Sequence, residues 1–153
     1  MAAVYILLPT HNRANTTVKF IKCLKAQTYT DYRLILIDDA STDNTVEACV
    51  SLLPDIIIMN GDGNLWWAGS LQKGIDYLRN EICPRADDII VMANDDTQFE
   101  PDFLERGVRL LDVNPRALIL PKWKMVDTGE IKETGAVYDS YNFTFRASKP
   151  DEE

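Results

Sequence analysis

Residues 4–13 read VYILLPTHNR and decide the fold, because an apolar run there gives way at once to polar residues. The five consecutive apolar residues 4–8 are typical of a strand that is buried on both faces of a sheet. Similar runs predict four further strands, at residues 34–37, 56–59, 89–92 and 117–120. Strands of this kind belong to a sheet that helices cover on both sides.

Stretches with apolar residues at helical spacing follow the first four strands. Their stripes are Val18, Ile21 and Leu24; Val46, Cys49, Val50 and Leu53; Leu71, Ile75 and Leu78; and Leu104, Val108 and Leu111. Residues 15–17 and 41–43 offer side chains for N-caps, and Pro101 suits a first helical turn. The alternation predicts an α/β domain with three layers and a mainly parallel sheet.

The composition is that of one acidic globular domain. The chain has 153 residues, and 16 Lys and Arg against 24 Asp and Glu give a net charge of −8. Since a domain usually has about 100–200 residues, we expect a single domain over residues 1–153. The negative charge disfavours nucleic acid as a partner. Because no apolar run reaches the roughly 18 residues of a membrane span, we expect a cytoplasmic protein without such a span.

The three cysteines do not predict a metal or redox site. Cys23, Cys49 and Cys83 are widely spaced and form no Cys-x-x-Cys pair. Inert thiols in a reducing compartment are the favoured interpretation.

Polar or glycine-rich loops follow four of the predicted strands. They span residues 9–13, 38–43, 60–69 and 94–96. Because the carboxyl ends of parallel strands lie along one edge of a sheet, these loops are expected to line a ligand cleft there.

Asp95 and Asp96 form an acidic pair at the end of the fourth strand. Two adjacent carboxylates repel each other unless a positive group joins them, and Mg²⁺ or Mn²⁺ typically takes one or two carboxylates together with water and substrate phosphate. The alternative is a solvated turn in which an aspartate caps the next helix. Both interpretations remain open at this point.

Asp38 and Asp39 form a second acidic pair, after the second strand. One carboxylate could accept a hydrogen bond from a base N–H or a sugar hydroxyl while the other capped backbone amides. In the alternative, both only order the turn.

The ordered set LPTHNR (8–13), LIDDASTD (36–43) and NDD (94–96) resembles the N-terminal half of a family 2 glycosyltransferase. The resemblance covers about residues 4–120. It implies the GT-A fold, a three-layer α/β/α sandwich with Rossmann-like nucleotide-binding topology, whose mainly parallel sheet becomes mixed at its C-terminal end.

The same resemblance implies an activity. Such enzymes transfer a sugar from a nucleotide-diphosphate donor to a hydroxyl of a glycan or lipid-linked acceptor, usually with inversion and with Mn²⁺ or Mg²⁺. Polysaccharide or cell-surface glycan synthesis is the expected setting.

The resemblance also assigns residues to the donor. Pro9, Thr10 and His11 would line the nucleobase and ribose pocket, together with Asn12. Asp39 would hydrogen-bond the pyrimidine edge, Asp95 would approach the ribose or sugar, and Asp96 would hold the metal ion on the diphosphate.

The loop after the third strand resembles a narrower group. Residues 64–75, NLWWAGSLQKGI, align with the pattern NLGFAGGNNxGI of rhamnosyltransferase-like members. The alignment adds Asn64, Trp67 and Gly69 to the expected donor-binding residues. Trp66 stands where the pattern has glycine, and the two tryptophans either stack on a sugar or base or pack beneath the loop.

A general base for the acceptor hydroxyl is missing from the recognisable motifs. Asp127, Glu130, Glu133 and Asp139 follow the fifth predicted strand among short strand-like pieces (131, 136–138 and 143–145), without an acceptor motif. We therefore expect a donor-binding half that ends before the acceptor half and lacks the catalytic base. The alternative function is a non-catalytic module that binds a nucleotide sugar.

Overall fold

The computed structural model describes residues 2–125, 127–133, 136–139 and 144–147. It divides into two compact units, Met1–Pro115 and Arg116–Glu153. Each unit is described by itself.

The first unit is an α/β layer structure built on one parallel sheet. Its strands are β1 (Val4–Thr10), β2 (Tyr32–Asp38), β3 (Ile57–Asn60) and β4 (Ile89–Met92), in the order β3-β2-β1-β4. Its helices are α1 (Ala14–Lys25), α2 (Thr45–Leu52), α3 (Trp66–Tyr77), which continues into a π-helical turn at Leu78–Ile82, and α4 (Phe103–Val113). The predicted α/β class and parallel sheet are confirmed.

Strand register places the first three loops side by side. Thr10 of β1 is paired with Asp38 of β2, and Asp38 is paired with Asn60 of β3. Three strands therefore end level with one another, and their loops leave the sheet at the same edge.

Alternation along β1 supplies both faces of the sheet. Val4, Ile6 and Leu8 pack in a core with residues of α1, α2 and α4, whereas Tyr5 and Leu7 face a second core under α3. Burial on both faces explains why β1 and β2 read as continuous apolar runs, whereas β4 at the edge of the sheet is exposed on one face, at Ile90 and Met92. A side chain at Gly74 of α3 would place its Cβ 2.9 Å from Leu7 Cδ2, so glycine there lets α3 approach the sheet without a shift of the Leu7 side chain.

Two helix starts differ from the expectation. Residues 15–17 lie inside α1 and do not cap it, and Pro101 lies in a turn before Phe103 begins α4. Asp43, one of the residues expected to cap α2, does accept a hydrogen bond from the first amide of that helix, Thr45 N (3.0 Å), and its carboxylate also accepts one from Ala14 N (3.4 Å) at the start of α1. A cap supplied by the loop before another helix cannot be recognised from local sequence.

Cys49 is fully buried on α2. Burial raises the pKa of its thiol to about 11, which keeps it protonated at neutral pH. None of the helices in the described ranges is long and apolar enough to cross a bilayer.

The second unit contains two antiparallel strand pairs. They are β5 (Trp123–Lys124) with β6 (Ile131–Glu133), and β7 (Ala136–Asp139) with β8 (Thr144–Ala147).

The predicted fifth strand at 117–120 was wrong: these residues have no regular structure and are exposed. An apolar run forms a strand only when a partner offers a free edge, and no described strand pairs with this one. The strand-like pieces at 131 and 136–138 are strands, as are residues 144 and 145, whereas Phe143 lies outside the described residues.

The start of the sheet supplies a testable ionic interaction. Asp88, which precedes β4, has a side chain that is only 3% exposed and accepts hydrogen bonds from Ala3 N (2.9 Å) and from the Arg85 backbone N (2.8 Å) and guanidinium (2.8 Å). The Arg85 guanidinium holds the pKa of Asp88 at about 2, below the ordinary 3.8.

We expect Asp88→Asn to lower the free energy of unfolding at pH 7 by about 1–3 kcal/mol, because buried hydrogen bonds to a charged group are weakened. Since the folded pKa is the lower one, this stabilisation is present above pH 4 and is lost as the pH falls through 2. Urea unfolding between pH 7 and pH 2 measures both effects. Asp87→Asn, on the exposed neighbour, is the control, and an equal loss in both variants would contradict this assignment.

Candidate functional site

A cleft of about 360 Å³ opens at the carboxyl edge of the sheet. Its lining comes from the loops after β1, β2 and β4 and from the start of α3. The lining residues are Pro9, Thr10, His11, Arg13, Asp39, Trp66, Trp67, Ser70, Asn94, Asp95 and Asp96. The prediction that polar loops share one edge of the sheet is confirmed by this arrangement.

Asp95 is one of two buried acidic groups of the cleft, with 5% of its surface exposed, and Asp39 is the other. Its Oδ2 lies 3.1 Å from the hydroxyl of Thr17 and 3.3 Å from that of Thr10, and the two hydroxyls lie 2.9 Å apart. Burial raises the pKa of Asp95 above its ordinary value, while Arg13 and the Thr17 hydroxyl act in the opposite direction. The carboxylate is thus held in a fixed orientation at the floor of the cleft.

Arg13 is the positive group that joins the two adjacent carboxylates. Its Nε lies 3.2 Å from Asp95 Oδ2, and a terminal guanidinium nitrogen lies 3.3 Å from Asp96 Oδ2. Asp96 is 60% exposed, so its carboxylate remains accessible from the cleft. The repulsion expected of this acidic pair is relieved by a side chain of the chain itself.

Asp39 holds the loop after β3. Its two carboxylate oxygens accept hydrogen bonds from the amides of Gly63 (2.8 Å) and Trp66 (3.0 Å). A Cβ at Gly61 would lie 2.4 Å from Asp39 Oδ1, so the loop reaches this carboxylate only because that residue is glycine. Each oxygen retains a second lone pair for a ligand that enters the cleft.

Asp38 orders the turn and does not line the cleft. Its carboxylate accepts hydrogen bonds from the amide (3.0 Å) and the hydroxyl of Ser41. The two aspartates therefore divide the roles considered above: Asp38 closes its own turn, and Asp39 faces the cleft.

Asn12 joins the first two loops to each other. Its side-chain Oδ1 accepts hydrogen bonds from the backbone amides of Thr42 (2.7 Å) and Asp43 (3.2 Å). Its backbone N–H donates a hydrogen bond to Ser41 Oγ (2.8 Å). Asn12 has a φ of +52°, a left-handed conformation that asparagine tolerates better than most residues. His11 lies beside it on the cleft, with Nδ1 at hydrogen-bond distance from the carbonyl oxygen of Asp39.

The two tryptophans at the start of α3 have different surroundings. Trp67 Nε1 donates a hydrogen bond of 2.7 Å to Asn94 Oδ1, which joins α3 to the loop after β4 across the cleft. Trp66 is 80% exposed and Trp67 is 56% exposed, so neither packs beneath the loop. Ser70, one turn further along α3, is buried.

The structure brings seven of the ten expected site residues to the cleft: Pro9, Thr10, His11, Asp39, Trp67, Asp95 and Asp96. It does not bring the other three there. Asn12 faces the second loop, Asn64 is exposed outside the cleft, and Gly69 lies against Leu65.

Four cleft residues were missing from that expected set: Arg13, Trp66, Ser70 and Asn94. Arg13 ends one of the motifs quoted above, and Asn94 begins another. The sequence therefore placed both residues near the cleft, but it did not show which side chains they contact. Ser70 could have been found from its position three residues after the expected Trp67, because residues three apart on a helix are neighbours on its surface.

Comparison with known proteins assigns the family. The sequence model described as "Glycosyl transferase family 2" matches residues 5–150. The chain belongs to glycosyltransferase family 2. Family membership confirms the expected class, whereas the rhamnosyltransferase-like subtype is not established by it.

Solved glycosyltransferase structures share the fold of this family 2 chain. The mannosyltransferase PcManGT from Pyrobaculum calidifontis, in complex with GDP-Man and Mn²⁺, aligns with a TM-score of 0.59 and 22% identity, over 71% of this chain and 32% of its own. TarS 1-349 from S. aureus, in complex with UDP, aligns with a TM-score of 0.58 and 14% identity, over 72% of this chain and 32% of its own. At these identities the likeness shows the GT-A Rossmann-like fold alone, and the chain spans about a third of the length of either structure.

The residues of this family 2 cleft fit a divalent cation only in part. No group of three or more His, Cys, Asp or Glu side chains within the described ranges could hold a metal ion. Asp96 offers one accessible carboxylate, which suits a cation that completes its shell with water and substrate phosphate. A cation would therefore bind together with a phosphate ligand.

We expect Arg13→Gln to lower the free energy of unfolding by about 1–2 kcal/mol, because Asp95 would lose its ionic partner while remaining buried. The loss is smaller than for a fully buried pair, since the Arg13 side chain is 45% exposed. Urea unfolding in the wild-type and Asp95→Asn backgrounds measures the coupling, and the loss should nearly vanish in the second. Asp96→Asn is the control, with an expected change of about 0.5 kcal/mol or less at an exposed pair. An equal loss in both backgrounds would exclude this pairing.

Proposed function

We propose that the cleft binds a nucleotide-diphosphate sugar as the donor for transfer to an acceptor hydroxyl. The observation that carries the proposal is the convergence of Asp39, Asp95 and Asp96 on one cleft at the carboxyl edge of a GT-A sheet. Ligands of open α/β sheets bind at this edge. The solved structures with the same fold contain GDP-Man or UDP, which supports a nucleotide ligand here.

The charges of the cleft determine how a diphosphate can enter. Three carboxylates and one guanidinium line it, so an anionic diphosphate needs further positive charge. We assign this role to Mn²⁺ or Mg²⁺ bound by Asp96, which would neutralise the diphosphate when bound. Arg13 already contacts Asp96 and is positioned to share that carboxylate or to contact a phosphate oxygen.

The part of the cleft around Asp39 suits the nucleoside. Asp39 is oriented by two backbone amides and retains acceptor capacity for a base N–H. Pro9, Thr10 and His11 supply the remaining wall, and Asp95 lies on the floor for a ribose or sugar hydroxyl. Asp95 already interacts with Arg13 and the hydroxyl of Thr17, so we assign it to orientation of the donor and not to proton transfer.

The finer parts of the function are proposals of the same kind. We propose inverting transfer of a hexosyl group to a glycan or lipid-linked acceptor, in polysaccharide or cell-surface glycan synthesis in the cytoplasm. The likeness of residues 64–75 to the rhamnosyltransferase-like pattern supports a deoxyhexose as one donor sugar to test. The family match does not favour the alternative of a non-catalytic binding module.

We expect Asp96→Ala to abolish the Mn²⁺-dependent part of nucleotide binding while the fold stays intact, because Asp96 is exposed. Saturation at 100 times the Kd stabilises a protein by ~2.7 kcal/mol, a rise in melting temperature of about 5–10 °C for this size. Thermal unfolding with UDP or GDP, with Mn²⁺ or with EDTA, measures the rise.

The control is Asp55→Ala, which removes an exposed carboxylate before β3, at the other end of that strand. It should keep the full wild-type rise. If Asp96→Ala also keeps the full rise, the metal ion binds elsewhere.

We also expect the 153-residue chain to hydrolyse its donor slowly and not to transfer the sugar at a useful rate. A general base typically contributes about 10²–10⁴-fold to such a reaction, and none has been assigned in this chain. Release of nucleoside diphosphate from UDP-glucose and GDP-mannose, with Mn²⁺ and with or without a saccharide acceptor, measures this. If the acceptor raises the rate to about 1 s⁻¹ or more, the base lies within these residues.

A further inference from the structure

Trp66 has a backbone conformation that favours glycine. Its φ is +54°, in the left-handed region that a bulky L-residue rarely adopts. The conformation is fixed because the Trp66 amide donates a hydrogen bond of 3.0 Å to Asp39 Oδ2. The rhamnosyltransferase-like pattern has glycine at this position, as such a φ would favour.

Packing within the chain does not explain why tryptophan occupies this position. The Trp66 side chain is 80% exposed, so little of the indole is covered by protein. An exposed aromatic residue in a strained conformation therefore lowers the stability of the free protein. Strained residues cluster at ligand sites, and Trp66 lines the cleft.

Ser70 supplies an independent observation on the same helix face. It is 1% exposed, it lines the cleft, and its Oγ has no hydrogen-bond partner among the described residues. Buried hydroxyls are almost always paired, because an unpaired one costs free energy. This hydroxyl therefore has the capacity for one donated and two accepted hydrogen bonds that the described residues do not use.

We propose that Trp66 and Ser70 form a subsite for a hexopyranose ring. The indole face would cover the apolar C–H face of the sugar, and Ser70 Oγ would bond to a ring hydroxyl at the wall of the cleft. Trp67 has another role, since its Nε1 is already bonded to Asn94, and it forms a fixed wall of the cleft.

The subsite rests on the proposed donor-binding function and extends it to the sugar. The pyranose has two possible sources, the sugar of the donor or a free acceptor saccharide. The two are chemically alike at an aromatic face, so the experiment separates them.

The test compares Trp66→Gly and Ser70→Ala with Cys83→Gly. Cys83 has a φ of +51°, is exposed and does not line the cleft, so it matches Trp66 in backbone strain alone. Trp66→Gly and Cys83→Gly should each raise the melting temperature of the free protein by roughly 2–4 °C, because glycine adopts this φ without strain. Ser70→Ala should leave it unchanged or slightly higher, because it removes an unpaired buried hydroxyl.

The binding arms use UDP, UDP-glucose, GDP and GDP-mannose with Mn²⁺, and glucose or mannose added to the nucleotide complexes. We expect Trp66→Gly and Ser70→Ala to bind the free nucleotides as the wild type does. Both variants should bind either the nucleotide sugar or the added saccharide about tenfold more weakly. Cys83→Gly should bind every ligand as the wild type does. A tenfold loss confined to the nucleotide sugars identifies the donor sugar, and a loss confined to added saccharide identifies the acceptor.

Three results would overturn the subsite. Unchanged affinity of Trp66→Gly for every sugar probe would show that the indole contacts no pyranose. A lower melting temperature of free Trp66→Gly would show that the indole stabilises the fold. Equal weakening of nucleotide and nucleotide sugar would place Trp66 at the nucleotide. A wild-type protein that binds none of the nucleotides would instead overturn the proposed function, and the subsite with it.

Discussion

Burial of the Asp95 carboxylate at the end of an apolar strand imposes the main constraint on this cleft. A carboxylate with 5% exposure must be paired or hydrogen-bonded, or it gives up its charge. The chain meets this requirement from two other elements: β1 supplies the hydroxyl of Thr10, and the start of α1 supplies the hydroxyl of Thr17 and the guanidinium of Arg13. Arg13 is thereby directed towards the loop after β4, and it reaches Asp96 at the same time. The contacts of one buried carboxylate thus join the start of α1 to the loop after β4 and bring Arg13 between the two acidic side chains.

The second acidic pair shows how neighbouring residues of one kind take different roles. Asp38 is the last residue of β2, and its carboxylate turns back to Ser41 and closes the loop. Asp39 stands one position further, and its carboxylate reaches the amides of Gly63 and Trp66 instead. Because the loop after β3 is held by Asp39, the start of α3 and the cleft wall depend on that carboxylate even before any ligand binds.

The sequence predicted β1 and β2 well because both strands are buried on their two faces. The run at 89–92 is a strand as well, although Ile90 and Met92 on one of its faces are exposed. Continuous apolar runs at 4–8, 34–37, 56–59 and 89–92 correspond to four strands, with ends that differ by a few residues. The run at 117–120 looked the same and is not a strand, because an apolar run does not show whether a partner edge is available. Parallel register then explains why the loops could be placed at one edge without any knowledge of their contacts.

The side chains of the cleft were harder to predict than its position. Asn12 belongs to a polar motif at the correct edge, yet its amide group faces the second loop and not the cleft. Arg13 follows it directly and does line the cleft. The sequence does not predict that these two neighbours point in different directions. The difference depends on the left-handed φ of Asn12, and the local sequence does not require that conformation.

Trp66 shows why a local rule can fail at a place of functional interest. Glycine would be the favoured residue for the conformation that Asp39 imposes, and the family pattern has glycine there. Natural proteins depart from such local preferences mainly where function compensates for the lost stability. An exposed indole that contacts little of the described protein gains little from the fold, and a ligand bound in the cleft would supply the compensation. The buried hydroxyl of Ser70, one helical turn away on the same cleft, also lacks a partner among the described residues. A sugar offers an apolar ring face for the indole of Trp66 and hydroxyl groups for Ser70.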